Sequence, residues 1–384
     1  MARLGELLLA EKLITKSHLE EALETQVIYG GRLGTNLCEL GFLKEVDLAR
    51  VLGKLHNLPF ASGEMKPDPA AVTLVAAKFL DDNDLMPMRV DPTRLTVAVL
   101  GPNQIEAVDA LSFKTSKRVV QVVIPEFRMN QLLRAYVKAF RPVRPIDMNT
   151  VRPSKEKTAA AEAAQPKDVS ELINEDDFAS IYANAAGQDQ QTEEVVIEGE
   201  VVADEMPAYV PPPKPKRPTS PLNFAEAQAL LQTSTDREDI ARTVLRFAVA
   251  KFRRALILSV QGDLVTGWHG AGRGVSDKAV RRIGVSLREE NTFKMVRDLR
   301  SHFIGPMKAT PGMDVFYKMV GAGAPTTAVV LPLLVRGKPV HFLYLDAGPG
   351  QVTPPDVGEL LIVSQSVTRS YEALIAARQA GSQT

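Results

Sequence analysis

Two arginines, Arg3 and Arg32, stand 29 residues apart, and each is followed by leucine and glycine. A guanidinium group is a planar fork of donors that pairs with the O6/N7 edge of guanine, and the nearby glycine leaves room beside it. Each arginine also precedes an apolar stretch typical of a helix, and the first N–H groups of a helix bind phosphate well. We therefore expect two similar half-sites for a ligand that has two guanines and two phosphates.

The sequence around these arginines is an internal repeat. Residues 3–26 and 32–55 align at an offset of 29, and residues 27–31 form a five-residue spacer between the copies. Apolar spacing in each copy predicts a short helix, then a second helix that opens at Thr15 or Lys44. Each copy is expected to be a helical hairpin that buries its apolar face against its twin. Two packed hairpins without a ligand would explain the same apolar pattern, but not the two identical RLG starts.

From residue 2 to about residue 140, the chain resembles the N-terminal domain of type II secretion and type IV pilus assembly ATPases. In its MshEN-type form this domain is a receptor for cyclic di-GMP, with two motifs and a short spacer of the lengths seen here. Each family motif starts with RLG, continues with paired aliphatic residues and a glycine, and ends with two spaced leucines and a glutamine. The resemblance implies a cyclic di-GMP site formed by Arg3, Leu4, Gly5, Leu8, Leu9 and Gln26 of the first copy and by Arg32, Leu33, Gly34, Leu37 and Gly41 of the second.

Three positions depart from the family motif. Lys12 stands where the first copy should have glycine, Cys38 where the second should have an aliphatic residue, and Leu55 where it should have glutamine. Lys12 adds bulk and a positive charge at a helix-ending turn, and Leu55 removes a polar side chain. Cys38 lies on an apolar position and is expected to be a packed small residue, not a nucleophile.

The sequence contains no recognisable catalytic motif. The phosphate loop GxxxxGK[ST], which follows this domain in the family, does not occur, and neither does GxSxG. The five histidines lack the spacing of metal ligands, and the single cysteine excludes a disulfide framework. Glycine-rich residues 267–274 lack dinucleotide-binding spacing and are predicted to form a flexible loop. We expect a protein that is not an enzyme and has no cofactor or metal, although an enzyme with an unrecognised C-terminal active site remains an alternative.

Behind the repeat, the chain alternates between helical and strand patterns. Strands are predicted at residues 85–88, 94–100 and 118–124, and helices at residues 67–82 and 126–140. This order indicates a small α/β unit behind the helical repeat.

An acidic, proline-bounded segment at residues 146–220 is predicted to be a disordered linker. Between Asp168 and Glu205 there are twelve Asp or Glu and no Lys or Arg, and such a composition buries too little apolar surface to fold alone. Ser170 could cap a short helix that carries apolar residues between Leu172 and Tyr182. This helix would either fold on a partner or represent chance apolar content.

The C-terminal part, residues 221–380, shows the helix and strand patterns of an α+β domain. Its segment LPLLVRGKPVHFLYLD, residues 331–346, and a long closing helix at residues 354–378 resemble the GAF family of sensory and dimerisation domains. The resemblance implies a small-molecule pocket or a helical dimer face. A helix is also predicted at residues 277–289. The long apolar stripe of the closing helix predicts a homodimer, unless the stripe packs wholly onto its own sheet.

Charge and hydropathy exclude some classes of function. The 384 residues include 46 Lys or Arg and 46 Asp or Glu, so the formal net charge is zero. A bulk electrostatic grip on nucleic acid or an anionic membrane is therefore not expected. No apolar run is long enough to cross a membrane, and the sequence predicts a soluble, cytoplasmic protein.

The predicted fold class is multidomain: an N-terminal helical repeat with a small α/β unit (1–145), a disordered linker (146–220) and a C-terminal α+β, GAF-like domain (221–380). Two functions fit these features. The first is a non-catalytic regulator or adaptor that binds cyclic di-GMP and acts on a type IV pilus, secretion or motility system. The second is a ligand-free scaffold that docks a pilus or secretion component through the same domain.

Overall fold

Four helices form the N-terminal region of the computed structural model, which describes residues 3–141 and 220–381 except 308, 322, 355 and 356. Thr15 caps the second helix by accepting a hydrogen bond from the His18 N–H at 3.2 Å. Buried leucines from all four helices share one apolar cluster, so each hairpin covers the apolar face of the other. The four helices are α1 (Leu4–Ala10), α2 (Lys16–Tyr29), α3 (Leu33–Glu39) and α4 (Glu45–His56).

A three-stranded sheet with flanking helices follows as the small α/β unit. Strand β1 pairs antiparallel with β2, and β2 pairs parallel with β3. A parallel pair needs a crossover connection, and helix α7 supplies it. The elements are α5 (Pro69–Val72), α6 (Ala77–Asn83), β1 (Met86–Val90), β2 (Arg94–Val99), α7 (Ile105–Thr115), β3 (Arg118–Val123) and α8 (Glu126–Val137).

An ion pair joins the helical region to the α/β unit. The Arg128 guanidinium on α8 donates from Nε and NH2 to the two oxygens of Glu45, both at 2.7 Å. Glu45 also accepts from the Gly63 N–H at 2.8 Å, and its side chain is 7% exposed. Phe127 of α8 packs into the leucine cluster of the four helices. The position of the repeat against the α/β unit is therefore fixed by both apolar and charged contacts.

The C-terminal domain is built on a six-stranded antiparallel sheet in the order β6-β5-β4-β9-β8-β7. The central strands carry near-continuous apolar runs because helices cover both faces. Its elements are α9 (Phe224–Gln232), α10 (Arg237–Ala248), β4 (Arg254–Gln261), β5 (Leu264–Gly272), α11 (Asp277–Val280), β6 (Gly284–Ser286), α12 (Thr292–Leu299), β7 (Phe303–Gly305), α13 (Pro311–Val320), β8 (Ala328–Val335), β9 (Lys338–Asp346) and α14 (Gly358–Ala380).

Two separate apolar cores lie on the two faces of this sheet. Helices α9, α10 and α14 pack on one face, where Ile257 and Leu343 are buried. Helices α12 and α13 pack on the other, where Phe293 stacks on Phe342 at 5.7 Å between ring centroids. The domain is therefore a layered α+β structure, as the sequence predicts.

The helical region and the C-terminal domain pack against each other within one compact unit. Helix α2 runs along α14, and Ile28 at the end of α2 is part of the apolar core that α14 covers. The Tyr29 hydroxyl donates to the Val260 carbonyl at 2.9 Å, and the Arg237 guanidinium donates to the Ile28 carbonyl at 3.3 Å. The spacer between the two copies of the repeat is thus a contact surface for the C-terminal domain.

Several predicted elements differ in the structure. The predicted helix at residues 277–289 is wrong, because only Asp277–Val280 is helical and Gly284–Ser286 is a strand. Ile283, Val285 and Leu287 are all buried, an alternation of two residues that fits a strand. Helices α12 and α13 were not predicted at all.

Two further predictions need correction. The helix predicted at residues 67–82 is broken between α5 and α6, where the Thr73 hydroxyl bonds back to the Pro69 carbonyl at 3.2 Å. Glycine-rich residues 267–272 lie in β5 and are not a flexible loop. A Cβ at Gly267 would stand 1.7 Å from the Val280 carbonyl oxygen, so glycine lets α11 approach the strand.

The apolar stripe of α14 is covered by its own chain. Leu360, Val363, Val367 and Ile375 are each at most 1% exposed and belong to the core shared with α9 and α10. The stripe predicted to form a homodimer face is therefore occupied, because α9, β8 and α2 pack on it.

Parts of the sequence interpretation fall on residues without a described structure. The linker as far as residue 219, and with it the helix proposed after Ser170, lies outside the described residues. Within residues 3–141 and 220–381, no helix is both long and apolar enough to span a bilayer.

Candidate functional site

The two arginines of the RLG starts have the same backbone conformation. Arg3 precedes α1 and Arg32 precedes α3, and both have φ −83° and ψ 151°. Each is the N-cap residue of its helix, so its side chain leaves the backbone at an equivalent point of the repeat. The starts also adjoin: the Leu33 side chain lies 3.6 Å from the Cβ position that Gly5 lacks.

Carboxylates occupy the helix starts at which the sequence analysis expected phosphate. The Arg3 N–H donates to the Glu6 carboxylate at 2.9 Å, and the Arg32 N–H donates to the Glu126 carboxylate at 2.8 Å. Glu126 also accepts from the Thr35 hydroxyl at 2.9 Å. A phosphate at either helix start would have to displace a negatively charged group, which disfavours the predicted position of the phosphates.

The glycines of the RLG starts make room for the second helix of each hairpin. An added Cβ at Gly5 would lie 3.1 Å from Leu19, and one at Gly34 would lie 2.6 Å from Leu48. Leu19 and Leu48 are themselves equivalent at an offset of 29. Both glycines are buried, so they serve helix packing here and do not open space for a ligand.

Burial separates the predicted ligand residues into two groups. Leu8 and Leu37 are 0% exposed and Gly41 is buried, so these three belong to the core and cannot touch a ligand without repacking. Gly5 and Gly34 are buried as well, and the other six predicted residues are exposed or partly exposed: Arg3, Leu4, Leu9, Gln26, Arg32 and Leu33.

The departure at Lys12 lies in a left-handed turn. Lys12 has φ 56°, and Gly41, its equivalent in the second copy, has φ 71°. In both copies the following N–H donates to the carbonyl five residues back, from Leu13 to Leu8 at 3.0 Å and from Phe42 to Leu37 at 2.9 Å. The two turns therefore have the same geometry, with glycine in only one of them.

The exposed residues of the first copy contact the end of α14. Arg3 NH1 donates to the Gly381 carbonyl at 2.5 Å. Gln26 Oε1 accepts from Arg378 NH2 at 3.2 Å, while Gln26 Nε2 donates to the Gly31 carbonyl at 2.8 Å. Both predicted polar ligand groups of this copy are thus engaged within the chain.

Arg32 in the second copy faces the α/β unit. Its NH1 donates to the Leu100 carbonyl, at the end of β2, at 3.2 Å. His56 lies against the neighbouring Gly101, and burial together with the positive charge of Arg32 lowers the pKa of His56. Leu55, where the family has glutamine, is partly buried. The two RLG starts therefore differ in their neighbours although their backbones match.

Cys38 is a packed residue, consistent with its apolar position in the repeat. Its side chain is 4% exposed, and burial raises the pKa of the thiol to about 12. A thiol that stays protonated at neutral pH is a poor nucleophile.

Sequence reasoning missed the residues that other elements bring to the arginines. Glu126 of α8 and Leu100, which follows β2, contact Arg32, and Gly381, which follows α14, contacts Arg3; all three are distant in sequence. One signal for Glu126 was present: the first copy has Glu6 at the third helical position, whereas the second copy has Thr35. Because the second copy lacks this capping carboxylate, a carboxylate from another part of the chain is expected to take its place.

Charged groups in the C-terminal domain form satisfied clusters. Arg254 donates to Asp346 at 2.7 Å and to the carbonyls of Gly321 and Gly323, and Tyr344 donates to Asp346 at 2.5 Å. These contacts hold loops at one end of the two central strands, β4 and β9. Among the described residues, no group of three or more His, Cys, Asp or Glu is arranged to hold a metal ion.

His269 on β5 lies between two carboxylates. Its Nδ1 is 3.0 Å from Asp277 and its Nε2 is 2.7 Å from Glu238. Burial alone would lower the pKa of His269, but the hydrogen bonds and charges of Asp277 and Glu238 outweigh burial and raise the pKa to about 9. The imidazolium is therefore a structural cation at neutral pH.

Comparison with known proteins identifies the α/β unit. A family model described as the MshEN domain matches residues 56–142. Over these residues the chain is similar to MshEN domains. The predicted resemblance to the N-terminal domain of pilus and secretion ATPases is thereby confirmed, and the match begins just after the two copies of the repeat.

The similar proteins include a pilus assembly ATPase and a solved MshE structure. Over 135 residues the chain is 32% identical to the type IV pilus assembly ATPase PilB of Myxococcus xanthus (strain DK1622), an alignment that covers 35% of this chain and 24% of PilB. The chain thus spans about a quarter of the length of that ATPase. A solved structure of MshE with cdg is 28% identical, with 35% of this chain and 99% of that chain covered and a TM-score of 0.29.

A GAF domain is also among the similar solved structures. The GAF domain from an Acinetobacter phosphoenolpyruvate-protein phosphotransferase is 12% identical, with 40% of this chain and 92% of that chain covered and a TM-score of 0.32.

Proposed function

We propose that this protein is a non-catalytic regulator or adaptor that binds cyclic di-GMP through its two RLG starts and acts on a type IV pilus, secretion or motility system. The observation that carries the proposal is the equivalence of Arg3 and Arg32. They cap adjoining helices with identical backbone angles, next to a unit that matches the MshEN domain. Cyclic di-GMP has two guanines, and an equivalent pair of guanidinium groups suits it.

The proposed contacts are confined to the residues that the structure leaves accessible. Arg3 and Arg32 would bind the guanine edges, and the partly exposed Leu4 and Leu33 would lie against the base faces. The buried glycines and leucines of the motif pack between the helices that carry these residues. A role in pilus assembly is supported by the similarity to PilB, and a role without catalysis by the absence of a phosphate loop from the sequence.

Calorimetry of the full chain with cyclic di-GMP tests this function. We expect saturable binding, and Arg32→Ala should weaken it by about 1–3 kcal/mol because a bidentate guanine contact is lost. Arg89→Ala, an exposed arginine on β1, is the matched control and should bind like the wild-type chain. No binding by the wild-type chain, or equal binding by Arg32→Ala, would contradict the proposal.

A second function, a scaffold without a nucleotide ligand, is favoured by one observation. Arg3 and Gln26 already have partners on α14, and Glu6 and Glu126 occupy the helix starts. In that case the domain would dock a pilus or secretion component without cyclic di-GMP. Saturable binding of cyclic di-GMP that depends on Arg32 would exclude this alternative.

A further inference from the structure

We infer that the C-terminal end of α14 competes with cyclic di-GMP for Arg3 and Gln26, so that ligand binding at the first copy releases this end from α2. The inference rests on the proposed function and specifies how the same site is regulated. It follows from three contacts between the last turn of α14 and the first copy of the repeat.

The first contact engages the guanidinium of Arg3. Its NH1 donates to the Gly381 carbonyl at 2.5 Å, so an oxygen of the protein stands where one acceptor of guanine would stand. A bidentate contact to guanine needs two adjacent N–H groups of the guanidinium. Arg3 must therefore give up Gly381 before it can hold a base through the adjacent pair NH1 and NH2.

The second contact engages the amide of Gln26. Arg378 donates to its Oε1 at 3.2 Å, and its Nε2 donates to the Gly31 carbonyl at 2.8 Å. Both ends of the amide thus have partners in the chain. A base N–H group that donates to Gln26 Oε1 from the direction of Arg378 has to displace Arg378, because two donors cannot occupy the same direction, and a phosphate, which accepts hydrogen bonds, would compete with the Gly31 carbonyl for Nε2.

The third contact shows that the last turn is held along α2 as a unit. Gln379 Nε2 donates to the Glu20 carbonyl at 3.3 Å, one turn of α2 before the Glu24 that pairs with Arg336. The last deeply buried residue of α14 is Ile375, at 0% exposure, and Arg378 is exposed. The polar last turn can therefore leave α2 while the apolar body of α14 stays in its core.

In the second copy, the arginine is engaged by the α/β unit and not by the end of α14. Arg32 contacts the Leu100 carbonyl of the α/β unit, and Leu55 replaces the glutamine that would correspond to Gln26. Competition with α14 is thus specific to the first copy. The C-terminal domain would respond to the ligand through the end of a helix whose apolar body packs against its own sheet.

Calorimetry with cyclic di-GMP on two truncated chains tests the competition. A chain ending at Ala377 lacks the contacts to Arg3 and Gln26, whereas a control chain ending at Gly381 keeps them. We expect the first to bind at least about fivefold more tightly than the full chain, since two competing hydrogen bonds are gone. The control should match the full chain.

Point variants test the same contacts without shortening α14, so their result does not depend on how the truncated helix folds. Arg378→Ala should bind roughly twofold to tenfold more tightly, and Arg369→Ala, an exposed arginine two turns earlier on α14, should leave affinity unchanged. Amide hydrogen exchange of residues 376–381 in the full chain should also rise when cyclic di-GMP is added.

The outcomes separate the two proposals. Equal affinity of the full chain, the Ala377 truncation and Arg378→Ala would overturn the competition while leaving cyclic di-GMP binding intact. Weaker binding by the shortened chain would also overturn it, since α14 would then be part of the site. Binding by none of the chains would reject the proposed function, and the competition with it.

Discussion

Lys12 and Gly41 occupy the same left-handed turn in the two copies of the repeat, with φ of 56° and 71°. The turn ends the first helix of each hairpin and directs the chain into the second. A residue with a Cβ is strained in this conformation by roughly 1–2 kcal/mol, whereas glycine adopts it readily. The first copy therefore carries backbone strain that the second avoids.

Replacing Lys12 by glycine should stabilise the protein. We expect Lys12→Gly to raise the free energy of unfolding by up to about 1 kcal/mol, because relief of the strained φ exceeds the extra chain entropy of glycine. The reciprocal change, Gly41→Lys, should lower it. Urea denaturation followed by circular dichroism measures both, and a destabilised Lys12→Gly chain would show that the lysine side chain makes a contribution beyond its backbone.

Gly34 should not tolerate a methyl group. An alanine there would place its Cβ 2.6 Å from Leu48, and we expect Gly34→Ala to lower the free energy of unfolding by about 1–3 kcal/mol through overpacking. Gly312 on α13 is the matched control, since an added Cβ meets nothing within 4 Å and alanine favours a helix. The thermal unfolding temperature should therefore fall for Gly34→Ala and rise for Gly312→Ala.

His269 should make the protein less stable at alkaline pH. Its pKa is raised from 6.5 to about 9, so the stabilisation is fully present below pH 6.5 and is lost as the pH rises through 9. The contribution is at most about 3 kcal/mol. As the pH is raised from 6 to 10, the midpoint of denaturation should fall more steeply for the wild-type chain than for His269→Gln. Parallel curves for the two would contradict a folded-state imidazolium.

The N-terminal region and the C-terminal domain should stay together after the chain between them is cut. The spacer residues Ile28 and Tyr29 pack into the C-terminal domain, and Arg336 pairs with Glu24 across the same contact. With an inserted protease site between residues 146 and 220, we expect the two fragments to co-elute in size-exclusion chromatography. Tyr29→Ala, which loses the Val260 contact and apolar area, should promote their separation, and Tyr136→Ala on α8 is the control.

Local patterns in the sequence predicted the elements that depend on local chemistry. The offset of 29 placed Arg3 and Arg32 at matching helix starts, and the strands at residues 94–100 and 118–124 were predicted within one residue, because short runs of apolar and β-branched residues mark strands. The helix predicted at residues 277–289 was wrong because Arg281 and Arg282 stand directly before a strand pattern and mask it. The buried residues Ile283, Val285 and Leu287 alternate along this strand pattern around β6.

The sequence could not predict which residues surround the arginines. Gly381 supplies a backbone carbonyl to Arg3, and a carbonyl carries no side-chain signal. The contact of Arg32 with Leu100 likewise depends on the tertiary arrangement of the α/β unit. The motif residues Leu8 and Leu37 look like ligand contacts in the family pattern, but their full burial is decided by how the two hairpins face each other.

The two copies of the repeat differ in the source of the carboxylate that caps their first helix, because α3 is capped by Glu126. Arg3 finds its capping carboxylate three residues ahead in Glu6, whereas Arg32 takes its own from α8, more than ninety residues later. A hairpin cut out at residues 3–29 keeps every group that starts its first helix, but one cut out at residues 32–57 does not. The start of α1 is therefore complete within its own copy of the repeat, whereas the start of α3 is complete only when α8 lies against it.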